Sequence, residues 1–302
     1  MMKKFLNLLT DIRFFFYYSF DLALIFVAII FKIISLDTYK IIPKDKNKKS
    51  TIIICNGPSL SKDIDWIVEN RDKLDISAVH FFANSDYFFK VKPRYFFLAD
   101  PLFWVKDISK DFQETNSDLF GNFEKVNWEM DIICPPKGYW AIKKRIKNKF
   151  IKVKKIRHWS IDFKSRFIAI LSLRLNLTTP FFSTVAVMAL WHAMFRSRKK
   201  IYIYGADFTN FKEFSINQNT NEIVNKNFSH FYKNSKAENN TLSKYKRRND
   251  LFNMILYKCW ISFEQMYLLS RLAKIKKIEI LNSSTDSYLD CFRRENLRDI
   301  LK

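Results

Sequence analysis

A chain of 302 residues that is 48% hydrophobic and 17% aromatic is neither a disordered tail nor a small disulfide-stapled domain; it can bury one large core or two modest ones. Fifty-two Lys and Arg against 30 Asp and Glu leave a formal charge of +22, which favours polyanionic partners: nucleic acid, an anionic membrane face or phosphorylated substrates. Cys55, Cys134, Cys259 and Cys291 form no C-x-x-C pair and no zinc spacing with the four histidines, so buried free thiols and a reducing, cytoplasmic setting are expected.

In chain order, the first element is the apolar run FFFYYSFDLALIFVAIIFKIISL, residues 14–36. Its length suits a membrane span, and it has no small-residue cleavage site. Asp21 and Lys32 interrupt it, and Tyr17 or Tyr18, Asp21, Ala28, Lys32 and Ser35 fall on one narrow helical stripe. That pattern predicts a helix that lies in the membrane interface or docks on the rest of the protein. Lys40, Lys44, Lys46, Lys48 and Lys49 follow, a cluster that favours the cytoplasmic face of a membrane. PKDKNKKS, residues 43–50, reads as a linker, which divides the chain into a membrane-associated part, 1–49, and a folded domain, 50–302.

Strand and helix patterns then alternate. A strand at 51–55 leads into a helix over 61–73; 78–89 reads as a strand ending near Asn84, and 94–104 as one ending near Asp100. Residues 131–135 form a further strand pattern, 183–195 a helix, 199–208 a buried-type strand, 250–273 a helix and 277–284 a last strand. Short apolar runs separated by helices predict an α/β fold with a mostly parallel sheet covered by helices on both faces. The segment NFKEFSINQNTNEIVNKNFS, 210–229, lacks Gly and Pro and reads as a long loop, either a lid or a surface insertion.

Ligands of doubly wound sheets sit at the carboxyl ends of the strands. Those ends here are Asn56-Gly57, Asn84, Asp100 and Gly205-Ala206-Asp207, and two of the four glycines in the chain fall among them. Asn and Asp at these positions, rather than Lys and Arg, point to a nucleotide read at its base and sugar, with phosphate held by backbone N–H groups and a helix dipole. Each residue alone is as readily a turn or cap; only the repetition carries the signal.

These motifs together resemble bacterial sialyltransferases of glycosyltransferase family 42. Asn56-Gly57-Pro58-Ser59 is similar to that family's N-G-P-S turn, and Asn84 and Asp100-Pro101 resemble its next two strand-end positions, the third of which is usually Asn. Ser183-Thr184 resembles the Thr-Ser that opens a long helix, YIYGADF (202–208) the I-Y-L-x-G-x-D-F signature, and Ser229-His230 with Tyr232 and Ser235-Lys236 the S-H-Y…S-K segment. The likeness runs over 51–292 and is weak over 105–182. It implies a GT-A-like nucleotide-binding domain with a lid (210–236) ahead of a catalytic His230, and an inverting, metal-independent transfer from a CMP-linked nonulosonic acid. The donor residues it implies are Asn56, Gly57, Pro58, Ser59, Asn84, Asp100, Ser183, Thr184, Gly205, Asp207, Thr209 and Tyr232, with no cofactor beyond the CMP-sugar. Thr209 and Phe211 stand where the family has tyrosines for the leaving phosphate, which leaves legionaminic- and pseudaminic-type donors open beside sialic acid.

Of the other histidines, His80 and His192 lie in apolar patterns and read as core, and His158 as surface. KKRIKNKFIKVKKIRH, 143–158, reads as a solvated helix face or a contact for anionic lipid or polysaccharide. The expected partners are therefore a CMP-sugar, a glycan or glycolipid acceptor and an anionic membrane surface at the cytoplasmic face of a bacterial inner membrane, with self-association open and nucleic acid not expected. The competing readings are a pterin pyrophosphokinase-like enzyme using ATP and magnesium, and a basic protein that binds nucleic acid or another anionic surface.

Overall fold

The computed structural model describes residues 18–30, 32, 50–105, 107–196, 200–212, 214–219, 223–225 and 251–300. Strands β1 (Ser50–Ile54), β2 (Leu74–Val79), β3 (Tyr95–Phe97), β4 (Met130–Cys134), β5 (Ile151–Lys155) and β6 (Lys200–Tyr204) precede a small hairpin of β7 (Phe214–Ile216) and β8 (Ile223–Asn225); β9 (Glu279–Asn282) and β10 (Arg293–Arg294) follow it. Except for the antiparallel β7–β8 pair, the strands form one eight-stranded sheet in the order β10-β9-β6-β1-β2-β3-β4-β5, and its pairings are all parallel. The expected α/β architecture is therefore present.

Alternate residues of the central strands enter opposite cores. Ile52 and Ile54 pack on one face with Tyr202 and Tyr204, while Ile53 and Cys55 pack on the other with Ile201 and Ile203. Burial on both faces is why these strands read as unbroken apolar runs. Helices α2 (Ile64–Glu69), α3 (Phe88–Val91), α4 (Lys110–Glu124) and α5 (Pro136–Arg145) cover the first face, joined by Leu297 of the short α9 (Leu297–Ile300). The second face is covered by α6 (Arg166–Arg174), α7 (Val185–Arg196) and α8 (Leu251–Ile275). A further helix, α1, occupies 18–30; its Asp21 and Ala28 are fully buried, as the polar stripe predicts for a docked helix. Tyr17, Ser35 and the lysines at 40–49 lie outside the described residues. Among the described residues no helix is long and apolar enough to cross a membrane.

Several boundaries differ from the sequence reading. The strand read at 78–84 ends at Val79, because His80 adopts a left-handed φ of +47° and turns the chain into a 3-10 helix, His80–Asn84. The same strand starts earlier, at Leu74, behind two polar residues that hid it. Asp75 and Ser77 are buried and receive hydrogen bonds from Arg196 of α7, whose guanidinium also lies 3.6 Å from the Tyr95 ring centre. The strand read over 94–104 keeps only Tyr95–Phe97. The helix read over 61–73 is broken into a 3-10 turn (Pro58–Lys62), α2 and a second turn (Arg71–Lys73).

The basic stretch 143–158 is not one helix face. It is the end of α5 followed by β5, which forms an outer edge of the sheet. Lys152 and Lys154 reach back to Glu129 and Asp131 at 3.1 and 2.7 Å. Lysines on an edge strand discourage pairing with a further chain. The loop read over 210–229 is, where described, a 3-10 turn and the β7–β8 hairpin.

His192 is a core residue as expected: its ring packs against Tyr95 and Phe97, both at 5.2 Å between centres. Burial first, then Arg196 and Lys154, hold its pKa well below 6.5. As pH falls, the unfolded chain takes up this proton first, so the contribution to stability is flat above about pH 6.5 and declines below it, by at most about 1.4 kcal/mol per pH unit. His192→Phe removes that component of the slope. Urea unfolding of both proteins between about pH 5 and about pH 7.5 measures the difference; parallel pH profiles would assign the acid sensitivity elsewhere.

Candidate functional site

The chain runs outward from β1 through β2, β3, β4 and β5, then returns to lay β6, β9 and β10 on the other side of β1. The switch point is therefore between β1 and β6, where doubly wound sheets open a crevice. A cleft of about 390 Å³ lies there. Its floor is the loop after β1 (Cys55, Asn56, Gly57, Pro58), the end of β2 (Val79, His80) and the loop after β6 (Gly205 to Thr209).

Two glycines let the floor loops meet. Gly57 N–H donates to Gly205 O at 2.8 Å, and Cys55 N–H to Tyr204 O at 2.8 Å. A Cβ on Gly57 would stand 2.5 Å from Gly205 O and 2.6 Å from the Asp207 carboxylate; one on Gly205 would stand 2.5 Å from Cys55 O. Gly205 also has φ +65°, whereas Gly57 has an ordinary φ of −65°, so space alone demands glycine at 57. Ser59 then ties the loops together. Its N–H donates to Asp207 Oδ2 at 2.9 Å and its hydroxyl to Oδ1. Asp207 borders the cleft but both its carboxylate oxygens are engaged by Ser59, which makes it a brace between the loops.

One wall is the start of α7. Ser183 and Thr184 line the cleft, and Thr184 Oγ1 accepts from Val187 N–H at 3.4 Å as an N-cap. The α7 dipole thus presents its positive end to the cleft. Ser183 Oγ is buried and has no hydrogen-bond partner among the described residues. A second wall is one side of α8, with Ile255, Cys259, Ser262 and Phe263, joined by Phe211 and Phe214 from the segment after β6. Lys258 is the one cationic side chain among the described lining residues.

Of the sequence-derived residues, the cleft gathers Asn56, Gly57, Pro58, Ser183, Thr184, Gly205, Asp207 and Thr209. Asn56 Nδ2 donates to Val79 O at 3.2 Å, across to the next strand. The structure does not bring Asn84 or Asp100 into the cleft. Asn84 Nδ2 donates to Thr115 O at 3.0 Å, and exposed Asp100 caps the turn Pro101–Phe103 by accepting from Leu102 N–H at 3.0 Å. His230 and Tyr232 lie outside the described residues, as does 226–236 of the expected lid.

His80 was read as core and instead lines the cleft, half-buried, directly after β2. Its Nε2 accepts from Ala99 N–H at 3.3 Å, so the neutral ring carries its proton on Nδ1. Phe208, at φ +55°, is a second non-glycine residue held left-handed at the cleft. Such backbone outliers concentrate at functional sites, but nothing in AVHFF or GADF announces them. The α8 wall was also missed; its one signal is the helical spacing of 255, 259 and 262. The Cys55 thiol is pushed up to about 12 by burial and then by Asp207, so it is no nucleophile near neutral pH. Among the described residues no group of three or more His, Cys, Asp or Glu side chains is placed to hold a metal ion.

No protein-family model and no curated protein matches the chain. A solved structure to which it is similar is described as a MAf glycosyltransferase from Magnetospirillum magneticum AMB-1, with 13% identity and a TM-score of 0.45. The likeness covers 86% of this chain and 36% of that one, so this chain spans about a third of the length of its neighbour.

The loop contact gives a paired test. Gly57→Ala forces the two floor loops apart, so thermal stability falls. Gly121→Ala, in α4 with no atom within 4 Å of the added Cβ, raises stability by about 0.5–1 kcal/mol. A Gly57→Ala protein with unaltered Tm would show that the loops do not need this contact.

Proposed function

We propose that the protein is a glycosyltransferase with a GT-A-like domain that moves sialic acid or a related nonulosonic acid from a CMP donor to a glycan or glycolipid, with inversion and without a metal. The observation that carries this reading is the cleft itself. The N-G-P-S turn and the G-A-D-F turn, the two most specific motifs of the resemblance, face each other across its floor. The start of α7, the third motif, forms the wall beside them. The described lining, with one lysine, one helix N-terminus and a hydroxyl, suits a ligand with a single phosphate better than a di- or triphosphate, whose added charge would need more cations or an ion. Apolar Phe211, Phe214 and Phe263 supply surfaces against which a base or sugar can pack.

In this reading Asn56, Ser183 and Thr184 contact the CMP portion, Gly57 and Gly205 let the two floor loops close beneath it, and Asp207 holds the floor through Ser59. Thr209 takes the place of a family tyrosine near the leaving phosphate. His230, brought in from the segment after the hairpin, takes the proton from the acceptor hydroxyl as that oxygen attacks the anomeric carbon and CMP leaves with the bonding pair. The acceptor is a surface polysaccharide or lipooligosaccharide built at the cytoplasmic face of the inner membrane.

A donor panel of CMP-, UDP- and GDP-sugars and ATP, each with and without chelator, tests the assignment. CMP-sugar turnover that survives EDTA is the expected result; turnover that needs ATP and magnesium would replace it with the pyrophosphokinase. Within the first outcome, His230→Ala keeps CMP binding and loses roughly 10²–10⁴ in rate. A variant with normal turnover removes His230 from the chemistry.

A further inference from the structure

Helix α1 has the polarity of a surface helix reversed. Asp21 is fully buried, and its carboxylate oxygens accept the Lys164 and Ser165 N–H groups at 3.0 and 2.7 Å, at the N-terminal end of α6. Lys32 Nζ donates to Leu175 O at 3.1 Å, at the C-cap of α6. The step from Asp21 to Lys32 is 32 − 21 = 11 residues and that from Ser165 to Leu175 is 175 − 165 = 10, roughly 16 and 15 Å of helix. The two helices therefore lie side by side in the same direction. An anion meets the positive end of the α6 dipole and a cation its negative end. Both charged side chains of the described part of α1 are used to hold it to the protein.

The outward face is consequently apolar. Exposure runs from 38% at Ile29 to 64% at Phe26, with Phe20, Leu22, Val27 and Ile30 between them and Tyr18 at one end. The face continues beyond α1. Phe167, 70% exposed, follows the Asp21 contact directly, and Leu175 is at the Lys32 contact. On α8, Tyr257 and Trp260 are exposed and stack at 5.8 Å, with Tyr257 in electrostatic reach of Lys164. Arg166 bonds Glu264 and lies over Tyr267, which fixes α6 against α8. Cations rim this surface: Lys164, Arg166 and Arg174 on or beside α6 are all exposed, the first two paired with Asp162 and Glu264.

We propose that this face docks on an anionic lipid bilayer, with α1 lying in the plane of the head-group boundary. Phe20, Leu22, Phe26 and Val27 insert, and Arg174 with the other cations of α6 meets lipid phosphates. Charge decides between this occupant and a second copy of the chain. A two-fold contact would set the same patch against itself, where the acids Asp162 and Glu264 are already paired and offer nothing further to its cations. A bilayer with anionic head groups complements them, and each such residue near the surface strengthens binding by about fivefold. An aliphatic and Phe centre with Tyr, Trp and Arg at its edge is also the composition that the interfacial layer selects. The other side of α8 lines the cleft, so an acceptor head group in that bilayer lies about one helix diameter, ~10 Å, from the site. That last step rests on the transferase reading; the docking does not.

Flotation of the full chain with vesicles of phosphatidylcholine alone, or mixed with phosphatidylglycerol, tests the docking without any assay of transfer. The intact protein floats with the mixed vesicles and only weakly with the neutral ones. The double variant Phe20→Ser/Phe26→Ser loses at least about tenfold in partitioning, with unchanged thermal unfolding because neither side chain is core. Arg174→Glu weakens binding to mixed vesicles severalfold and leaves the neutral ones unaffected. Intact protein that stays in solution with both vesicle types overturns the proposal. So does a double variant that floats as before, or one whose sole change, by light scattering, is from dimer to monomer.

Discussion

The contact on which the site depends is the approach of two peptide backbones at the switch point, where Gly57 and Gly205 touch across the gap between β1 and β6. Neither position has room for a methyl group, and the carboxylate that would be struck by a Cβ on residue 57 is the one that Ser59 grips. The loop after β1 cannot retreat without breaking that grip, and the loop after β6 cannot retreat without abandoning the left-handed turn at Gly205. The strain at His80 and Phe208 is tolerable because the strands beneath are rigid: Ile52, Ile53, Ile54 and Tyr204 are fully buried in the middle of the sheet. The fold thus supplies the stiffness and the loops supply the shape.

That dependence explains what could be read from the residues alone. β1, β6 and β9 lie in the sheet interior and appear as β-branched and aromatic runs ending in turn residues, so both the parallel sheet and the strand ends at Asn56 and Gly205 were legible. β2 was misplaced because two of its six residues, Asp75 and Ser77, are polar, and their partner Arg196 is 121 and 119 residues away. No local pattern can announce a polar residue satisfied at that distance. His80 was lost by the same route: once the strand was extended to Asn84, its ring became one more apolar-context side chain. Asn84 and Asp100 showed the converse error, since a local cap and a strand-end ligand contact use the same residue types.

The charge of the chain also separates into parts with different meanings. Lysines of β5 pair with Asp131 of β4 and Glu129 just before it and keep an edge strand solitary, which is a property of the sheet. Among the described residues that line the cleft, Lys258 is the one cation. A formal charge of +22 therefore says little about what the cleft binds, and its motifs and shape say more.

Helix α8 joins the two surfaces that matter. Ile255, Cys259, Ser262 and Phe263 face the cleft, Met266, Leu269 and Leu272 enter the core, and Tyr257 and Trp260 face outward beside α6. A helix with three apolar environments shows no strong polar side, which is why the sequence reads there simply as a helix. Its position nonetheless sets a physical limit on the protein. The cleft wall and the outward aromatic pair are sides of one rod, so a shift of α8 that narrows the cleft must also move Tyr257 and Trp260 relative to the Asp21 clamp on α6. Whatever seats the outer face then biases the width of the cleft, by the difference in its affinity for the two positions of the helix and by no more.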